Sequence, residues 1–513
     1  MIASRTKSYF FLFLLCILLA PAIIWMVGWV EAGQFYLVSF LGLGLVLFLL
    51  NRFKSSSIAD TPFNWNAFAG GFFVRFVFLI ALQVGLVSQT GQQMSMGTDA
   101  FNYYQEGIKI AELIRQFDLT LHLVVDVIVG GSNFGYSLLN GFIYSIFGNS
   151  VLIVKLFNVF LGALLGILVW EIVNLYASKK VARWAVCLTA LNPALIYWSA
   201  LNRKDILYTF LVLLLVLLLL KYLRTKSLLS LLGLIPVSAM TFIVRGNLSY
   251  FLGAGLVFIL LLNLALKNDW AGLAKLGVIL LASVMVLFML VPAVRSYWKK
   301  TLNLDLWEQV ISKARVYWRK YEVERLGVKP SQGIEGLVKI LPLAAGAFLL
   351  SPLPWSAEGI GLFRVPGALV RTFIYPISFF GMYLSLKRDN WVDFLPLIVV
   401  PVIVTVPILI VSLGGNTEWQ LPMLPFMMIF AGLALDQMSR FKQWYLSYLV
   451  LMGFSLHVLF ILQTGQTIIG VLSFANLGFL FLLSVILSGR AIKGTYCRQI
   501  TPNFYRWNSA ELL

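Results

Sequence analysis

Apolar runs long enough to cross a lipid bilayer recur along almost the whole of this chain of 513 residues. A helix needs about 20 mostly apolar residues to span a hydrocarbon core about 30 Å thick. Hydrophobic residues make up 60% of the sequence and charged residues only 12%, which is typical of polytopic membrane proteins. Irregular backbone cannot satisfy its polar groups in lipid, so these runs are predicted to be helices. The alternating ten-residue segments of a membrane barrel do not occur in the sequence.

We therefore predict an all-α, polytopic transmembrane protein with about 14 spans and with further helices in the extracytoplasmic interface. The predicted spans lie near residues 8–30, 35–50, 68–88, 151–176, 183–200, 206–222, 228–244, 247–266, 274–294, 366–386, 391–413, 422–438, 444–463 and 467–488. They divide the chain into an N-terminal helical hairpin (1–66), a transmembrane core (67–294) with a first outer loop (89–150), a basic outer loop (295–365), and a C-terminal transmembrane bundle with a cytoplasmic tail (366–513).

Basic residues near the ends of the spans predict the orientation. With both termini in the cytoplasm, the short outer loops hold little beyond Arg203, Lys204 and Arg245, as the positive-inside rule requires. The remaining basic residues at span ends then face the cytoplasm: Arg5, Lys7, Arg52, Lys54, Lys179, Lys180, Arg224, Lys226, Lys267, Lys387, Arg388, Arg440, Lys442, Arg490 and Lys493. Such residues face anionic lipid headgroups, so the net charge of +18 does not imply a nucleic-acid partner. We expect an integral protein of a bacterial inner (plasma) membrane.

Two polar segments are too long to be turns, and span parity places both on the outer face. The loop at 89–150 is acidic, whereas the loop at 295–365 is basic. Each contains one stripe of apolar residues at helical spacing, which predicts helices that lie in the membrane interface. The stripes are Phe101, Tyr104, Ile108, Ala111, Ile114 and Phe117 in the first loop, and Trp307, Val310, Ile311, Ala314, Tyr317, Trp318 and Tyr321 in the second. Residues 337–355 end in two prolines, which favours a re-entrant segment.

Cysteine and histidine usage excludes several kinds of site. The three cysteines lie in predicted spans or in the tail, so no disulfide framework is expected. His122 and His457 are the only histidines and are far apart, which argues against a zinc site or a histidine-based triad. We expect the first 30 residues to remain as a span rather than to be removed as a signal peptide, because the apolar run continues past Ala20-Pro21-Ala22.

From Gly97 to Leu223, about a quarter of the chain, the sequence resembles the GT-C glycosyltransferases of the protein mannosyltransferase and aminoarabinose transferase type. In that family an acidic residue follows a spanning helix in the outer loop, and Asp99 matches it. A second match is a Phe-Gly-Asn-Ser turn followed by a basic residue and an asparagine: Phe147, Gly148, Asn149, Ser150, Lys155 and Asn158. A third match is a proline near the end of a helix, before a short outer turn that carries an acidic residue: Pro193 and Asp205. The resemblance implies a membrane enzyme that uses a lipid-linked sugar donor.

The chemistry of such a transfer fits the residues predicted on the outer side. One carboxylate takes the proton from an acceptor hydroxyl, and a cluster of cations stabilises the departing phosphate. Asp99 is therefore the candidate catalytic base. Arg203, Lys204 and Arg245 are the candidate ligands of the donor phosphate, and Asp205 is a candidate second acid.

Each candidate also has a structural explanation. Asp99 and Asp205 begin predicted helices and so fit helix N-caps. Arg203 and Lys204 fit anchors in the membrane interface. A turn arginine that reaches lipid headgroups explains Arg245, although a charge between two apolar spans is costly unless it is paired or hydrated.

We expect inverting transfer of one sugar from a polyprenyl-phosphate donor to a lipid, glycan or protein acceptor on the extracytoplasmic face. Oligosaccharyltransferases carry a pair of acids in the second outer turn to hold a divalent metal, whereas this chain has Asp205 alone. A reaction without metal or other cofactor is therefore favoured. Two alternatives remain. A surface polysaccharide polymerase or ligase would have a large outer loop near the C-terminal end of the chain, rich in arginine and histidine. A transporter or flippase of lipid-linked saccharides would have charged residues deep within several spans and an internal repeat.

Overall fold

The computed structural model describes residues 61–90, 98–116, 134–266, 365–388, 391–412 and 417–437, together with residues 23, 33–36 and 39. These described residues form helices and turns, without a strand among them. The contacts below lie within one unit of the chain, Met1–Asp436. The predictions for most of the N-terminal hairpin, the span at 274–294, the basic outer loop 295–365, the re-entrant segment and the last two spans fall outside the described residues.

The helices of the described residues follow the predicted apolar runs closely. They are α1 (Thr61–Thr90), α2 (Thr98–Arg115), α3 (Phe134–Phe147), α4 (Val151–Asn174), α5 (Lys179–Ala190), α6 (Pro193–Ser199), α7 (Asp205–Thr225), α8 (Leu228–Val244), α9 (Gly246–Leu266), α10 (Val365–Leu386), α11 (Trp391–Ser412), a 3₁₀ helix (Thr417–Met423) and α12 (Leu424–Asp436). The helical fold class is confirmed. Three stretches within the described residues are long and apolar enough to cross a membrane: Asn66–Ser88, Val151–Asn174 and Asp205–Thr225.

Helices α4 and α7 form the centre of the described bundle. Most of their residues are buried, since α4 contacts α1, α5 and α7, while α7 also contacts α8. By contrast, α8 exposes Leu229, Leu232, Ile235 and Met240. Apolar side chains on an outer helix of a membrane protein face lipid, because lipid tails solvate them as well as a protein interior does.

The predicted span at 183–200 is wrong, because the structure breaks it into α5 and α6. Asn192 lies between the two helices, and its side-chain oxygen accepts hydrogen bonds from the backbone N–H groups of Ala194 and Leu195. Pro193 occupies the first position of α6, where a missing N–H costs nothing. An asparagine cap followed by proline therefore starts a new helix inside the apolar run.

The carbonyl groups freed by this break are satisfied by a charged residue of another helix. The Arg75 guanidinium, fully buried in α1, donates to the carbonyl oxygens of Ala190 at 2.7 Å and Thr189 at 3.3 Å. A cation at the C-terminal end of α5 also complements the helix dipole. Arg75 thus caps the C-terminal end of α5.

The segment predicted as the first outer loop contains a pair of packed helices. Helix α2 corresponds to the helix predicted from the stripe at 101–117, and it packs along α3, which was not predicted from the sequence. Glycines at the contact allow the close approach: a Cβ atom on Gly107 would lie 2.8 Å from the Cβ of Asn140. After α3 the chain turns at Gly148, whose φ of +80° favours glycine, and Ser150 then precedes α4.

The C-terminal part of the described bundle also departs from the predicted pattern at one place. The span predicted at 422–438 is a 3₁₀ helix containing Pro422 followed by the 13-residue helix α12. Helix α12 packs against α10 and α5. Gly381 of α10 lies directly against the Phe430 carbonyl, and Gly432 lies against the backbone of α5 at Val181. The absence of side chains at these two glycines lets three helices meet closely.

The two ends of the bundle hold different groups of charges. At one end, Lys221 pairs with Glu171 at 3.3 Å, and Arg224 donates to the carbonyl oxygen of Leu175. The opposite end carries the N-termini of α2, α4 and α7, and the break between α8 and α9. All the candidate site residues lie at this second end.

Candidate active site

Asp99 lies in the first turn of α2, and its side chain is exposed. A carboxylate in this turn is favoured by the positive end of the helix dipole. The helix begins at Thr98, so Asp99 is the second helical residue rather than the residue that precedes the helix. A solvent-accessible carboxylate on a packed helix has the accessibility that a general base requires.

Asp205 and Arg245 form a buried ion pair. Nη1 of Arg245 lies 2.9 Å from Oδ1 of Asp205, and their side chains are 7% and 4% exposed. Arg245 occupies the break between α8 and α9, and its guanidinium also lies over the Tyr208 ring. The explanation of Arg245 as a turn residue that reaches lipid headgroups is therefore wrong, because the side chain points into the protein.

The N-cap of α7 is Lys204 rather than Asp205, and its side chain makes no capping hydrogen bond. Lys204 is buried, and its ammonium lies 5.7 Å from the centre of the Tyr103 ring. Arg203 is half-buried, and its guanidinium lies 5.3 Å from the centre of the Trp198 ring. Both distances are within the range of cation–π attraction. These contacts hold two adjacent cations beside the Asp205–Arg245 pair.

Tyr103 lies where the predicted site residues meet. It is one helical turn after Asp99 on α2, and it interacts electrostatically with Asp205, Asp99, Arg245 and Arg203. Burial raises the pKa of Tyr103 above its ordinary value, and the Asp205 and Asp99 carboxylates raise it further. The phenol therefore stays neutral. The structure thus brings all five predicted site residues around one buried tyrosine, although they come from α2, the 200–205 turn and the α8–α9 break.

Uncharged polar side chains connect these elements. Asn202, in the turn before α7, accepts hydrogen bonds through Oδ1 from the Tyr136 hydroxyl at 3.0 Å and from Asn140 Nδ2 at 3.2 Å. Its own Nδ2 donates to the Ala100 carbonyl at 3.5 Å. Nδ2 of Asn158 in α4 shares its two hydrogens among three acceptors: the Tyr136 hydroxyl and the carbonyls of Leu201 and Arg203. We call Tyr136, Asn140, Asn158 and Asn202 the polar network.

Asn158 was predicted only through the family resemblance, and Tyr103, Tyr136, Asn140 and Asn202 were not predicted as site residues. The spacing of Tyr136, Asn140 and Tyr144 at every fourth residue of an apolar segment places them on one helical face. That spacing was the available signal. A polar face on an otherwise apolar helix needs partners when it is buried.

Lys155 is a buried cation of α4 and lies about one turn closer to the N-terminus of this helix than Asn158. Its ammonium donates to Oε1 of Gln83 in α1 at 2.7 Å. This contact joins two predicted spans and does not touch the five candidate residues. Within the part of the chain that the structure describes, no group of three or more His, Cys, Asp or Glu side chains is arranged to hold a metal ion.

A comparison with known families gives a match within the described bundle. Residues 134–292 match the model of the dolichyl-phosphate-mannose-protein mannosyltransferase family. The chain contains a GT-C family domain. This domain includes α3 to α9 and therefore the polar network, Arg203, Lys204, Asp205 and Arg245. A comparison with curated proteins finds no match.

The match confirms the resemblance drawn from the sequence and points to a glycosyltransferase at the level of the family. At the level of the family, the domain is that of a membrane glycosyltransferase with a lipid-linked donor. Asp99 and α2 precede the matched region. Helix α2 nevertheless packs on α3, the first helix of the domain, so the candidate base is attached to the domain by direct contacts.

Proposed function

We propose that this protein transfers one sugar from a polyprenyl-phosphate donor to an acceptor hydroxyl on the extracytoplasmic face of the membrane. The observation that carries the proposal is the meeting of an exposed carboxylate with three cations, two of them buried, at one end of a GT-C domain. Asp99 and Asp205 supply two negative charges, while Arg203, Lys204 and Arg245 supply three positive charges. The site thus has a net positive charge, which favours an anionic donor.

The reaction is a single displacement at the anomeric carbon. The Asp99 carboxylate takes the proton of the acceptor hydroxyl as the acceptor oxygen forms its bond to that carbon. The bond from the anomeric carbon to the phosphate oxygen breaks at the same time, and the polyprenyl phosphate leaves with the electron pair. Attack opposite the leaving group inverts the anomeric configuration.

Arg203 and Lys204 stabilise the charge that develops on the phosphate oxygens. Their side chains are held against Trp198 and Tyr103, so they do not need to reorganise during the reaction. Arg245 adds a third positive charge but is paired with Asp205. This pairing supports a role for Asp205 in holding Arg245 and the 203–205 turn. The three cations also support a reaction without a metal ion, because they supply the positive charge that a metal would provide.

The experiment uses membranes that contain the full-length protein and radiolabelled polyprenyl-phosphate mannose, the donor suggested by the family's name. Asp99→Asn keeps the size of the side chain and removes the base, so the transfer rate is expected to fall at least about 100-fold. Glu112→Gln is the matched control, because Glu112 is also exposed on α2 and lies about 20 Å along the helix from Asp99.

Loss of transfer in Asp99→Asn together with normal transfer in Glu112→Gln would support the proposal. Full activity of Asp99→Asn would exclude Asp99 as the base. A polysaccharide polymerase or a flippase would give a different result with wild-type protein: the first would extend a saccharide chain, and the second would move the donor across the bilayer without forming a glycosidic bond. Proteolysis of sealed vesicles would show the side of the membrane on which Asp99 lies.

A further inference from the structure

The hydroxyl group of Tyr136 joins three separate elements of the fold. The residue belongs to α3, donates to Asn202 in the turn before α7, and accepts from Asn158 of α4 at 2.9 Å. Tyr136 and Asn158 are fully buried, and Asn202 is 1% exposed. A buried hydroxyl with one donated and one accepted bond in these directions restricts the relative positions of all three elements.

The two hydrogen bonds of this hydroxyl connect it to the segment of the candidate base and to the segment of a candidate phosphate ligand. Through Asn202 the connection reaches the backbone carbonyl of Ala100, the residue that follows Asp99. Through Asn158 it reaches the backbone carbonyl of Arg203 at 3.0 Å. One side of the network therefore holds the helix of the candidate base, and the other holds the backbone of a candidate phosphate ligand.

We propose that Tyr136 is a positioning residue that fixes Asp99 relative to Arg203. The inference rests on the proposed function, because it assigns the base to Asp99 and phosphate binding to Arg203. Tyr136 itself contacts neither the donor nor the acceptor in this scheme. It acts through Asn202 and Asn158, whose hydrogen bonds set the distance between the two backbone segments.

Tyr136→Phe removes the hydroxyl and keeps the ring, which packs edge-on against Tyr103 at 5.1 Å between centroids. Asn158 retains its bonds to Leu201 and Arg203, so the phosphate side stays in place. Asn202 loses one of the two groups that donate to its Oδ1, so its side chain, which binds the Ala100 carbonyl of α2, is held less firmly. Because misplacement of a reacting group slows the chemical step, we expect kcat to fall about tenfold while the KM for the donor changes by less than about twofold.

Tyr144→Phe is a matched control on the same helix. Tyr144 is fully buried, and its ring packs edge-on against Tyr104 as that of Tyr136 does against Tyr103. Its hydroxyl has no hydrogen-bond partner among the described residues. The same chemical change at Tyr144 therefore removes no contact of the network, and we expect kcat and KM close to those of the wild type.

The experiment measures kcat and donor KM for the wild type, Asp99→Asn, Tyr136→Phe and Tyr144→Phe, each corrected for the amount of folded protein by size-exclusion chromatography. Asn202→Ala and the double variant Tyr136→Phe/Asn202→Ala complete a mutant cycle. If Tyr136 acts through Asn202, its substitution lowers kcat in the wild type but causes little further change in the Asn202→Ala background.

The inference is overturned if Tyr136→Phe and Tyr144→Phe have the same kcat, if the loss appears mainly as a higher KM, or if the losses of Tyr136→Phe and Asn202→Ala simply multiply. Inactive Asp99→Asn with normal Tyr136→Phe would overturn the positioning role and leave the proposed function intact. Active Asp99→Asn would overturn both proposals. Should Asn202→Ala fail to fold, the comparison of the two tyrosine variants still decides the question.

Discussion

Removal of the Arg245 charge is expected to be among the most destabilising single changes at this site. The two charges of the Asp205–Arg245 pair lie 2.9 Å apart, and at an effective dielectric constant of about 20 their attraction is about 6 kcal/mol. Desolvation of both ions offsets much of that attraction. Breaking the pair from one side nevertheless leaves a buried carboxylate without its counter-charge, which typically costs about 3–5 kcal/mol of folding free energy.

Arg245→Met is the sharpest form of this test, because methionine keeps much of the apolar stem and loses the charge. We expect the free energy of unfolding, measured by denaturant titration in detergent micelles, to fall by about 3–5 kcal/mol. Adding Asp205→Asn removes the stranded charge while keeping the side-chain size. The double variant should therefore recover at least about half of the loss.

Lys221→Met provides the control at the opposite end of the bundle. Lys221 pairs with Glu171 at 3.3 Å, but its side chain is 39% exposed. Solvent screens such a pair, so we expect a loss of about 0–1 kcal/mol. If Arg245→Met costs no more than Lys221→Met, or if Asp205→Asn adds a second loss instead of a recovery, the pair is not desolvated and the reasoning fails.

Four further predictions concern stability and metal dependence. Arg75→Lys keeps the charge but lacks the planar guanidinium that donates to the carbonyls of Ala190 and Thr189, so the melting temperature of this variant should fall. Arg183→Lys makes the same change at an exposed position of α5, and its melting temperature should stay near that of the wild type. The raised pKa of Tyr103 means that its contribution to stability is complete below pH 10 and is lost above it, because the unfolded phenol ionises there. The melting temperature should thus fall more steeply between about pH 9 and pH 11 in the wild type than in Tyr103→Phe, and equal slopes would contradict this. Gly381→Ala places a methyl group against the Phe430 carbonyl and should cost about 1–3 kcal/mol. By contrast, the added methyl group of Gly85→Ala meets no atom of the described residues within 4 Å, so this change should be neutral or slightly stabilising. Treatment with EDTA should leave the transfer rate unchanged, and a loss restored by added Mg²⁺ or Mn²⁺ would refute the metal-independent mechanism.

The helices were largely predictable because apolar length dictates them. The spans predicted at 151–176 and 206–222 correspond to Val151–Asn174 and Asp205–Thr225. The break at Asn192 was missed, although an asparagine followed by proline is a recognisable helix start. Hydropathy averaged over the segment hid the break. Arg75 stabilises this break by donating hydrogen bonds to the carbonyls of Ala190 and Thr189. It is distant from them in the sequence, and no local pattern indicates the contact.

The charged members of the candidate site were predictable for a different reason. A charge in an apolar sequence is costly, so Asp99, Asp205 and Arg245 stand out from the amino-acid sequence alone. Asn202 and Tyr136 carry no charge, and such residues occur in many membrane helices without a role. Their importance follows from hydrogen bonds between elements that are far apart in the chain, which periodicity does not encode. The catalytic and phosphate-binding roles remain predictions.

The hydrogen bonds from Asn158 to the carbonyls of Leu201 and Arg203 also set a depth. Asn158 comes seven residues after the start of α4, so this charged turn lies about 10 Å below the first residue of that helix. Each residue turns an α-helix by about 100°, so a one-residue insertion in α4 just before Asn158 would move this amide away from both carbonyls and release the turn that carries Arg203 and Lys204.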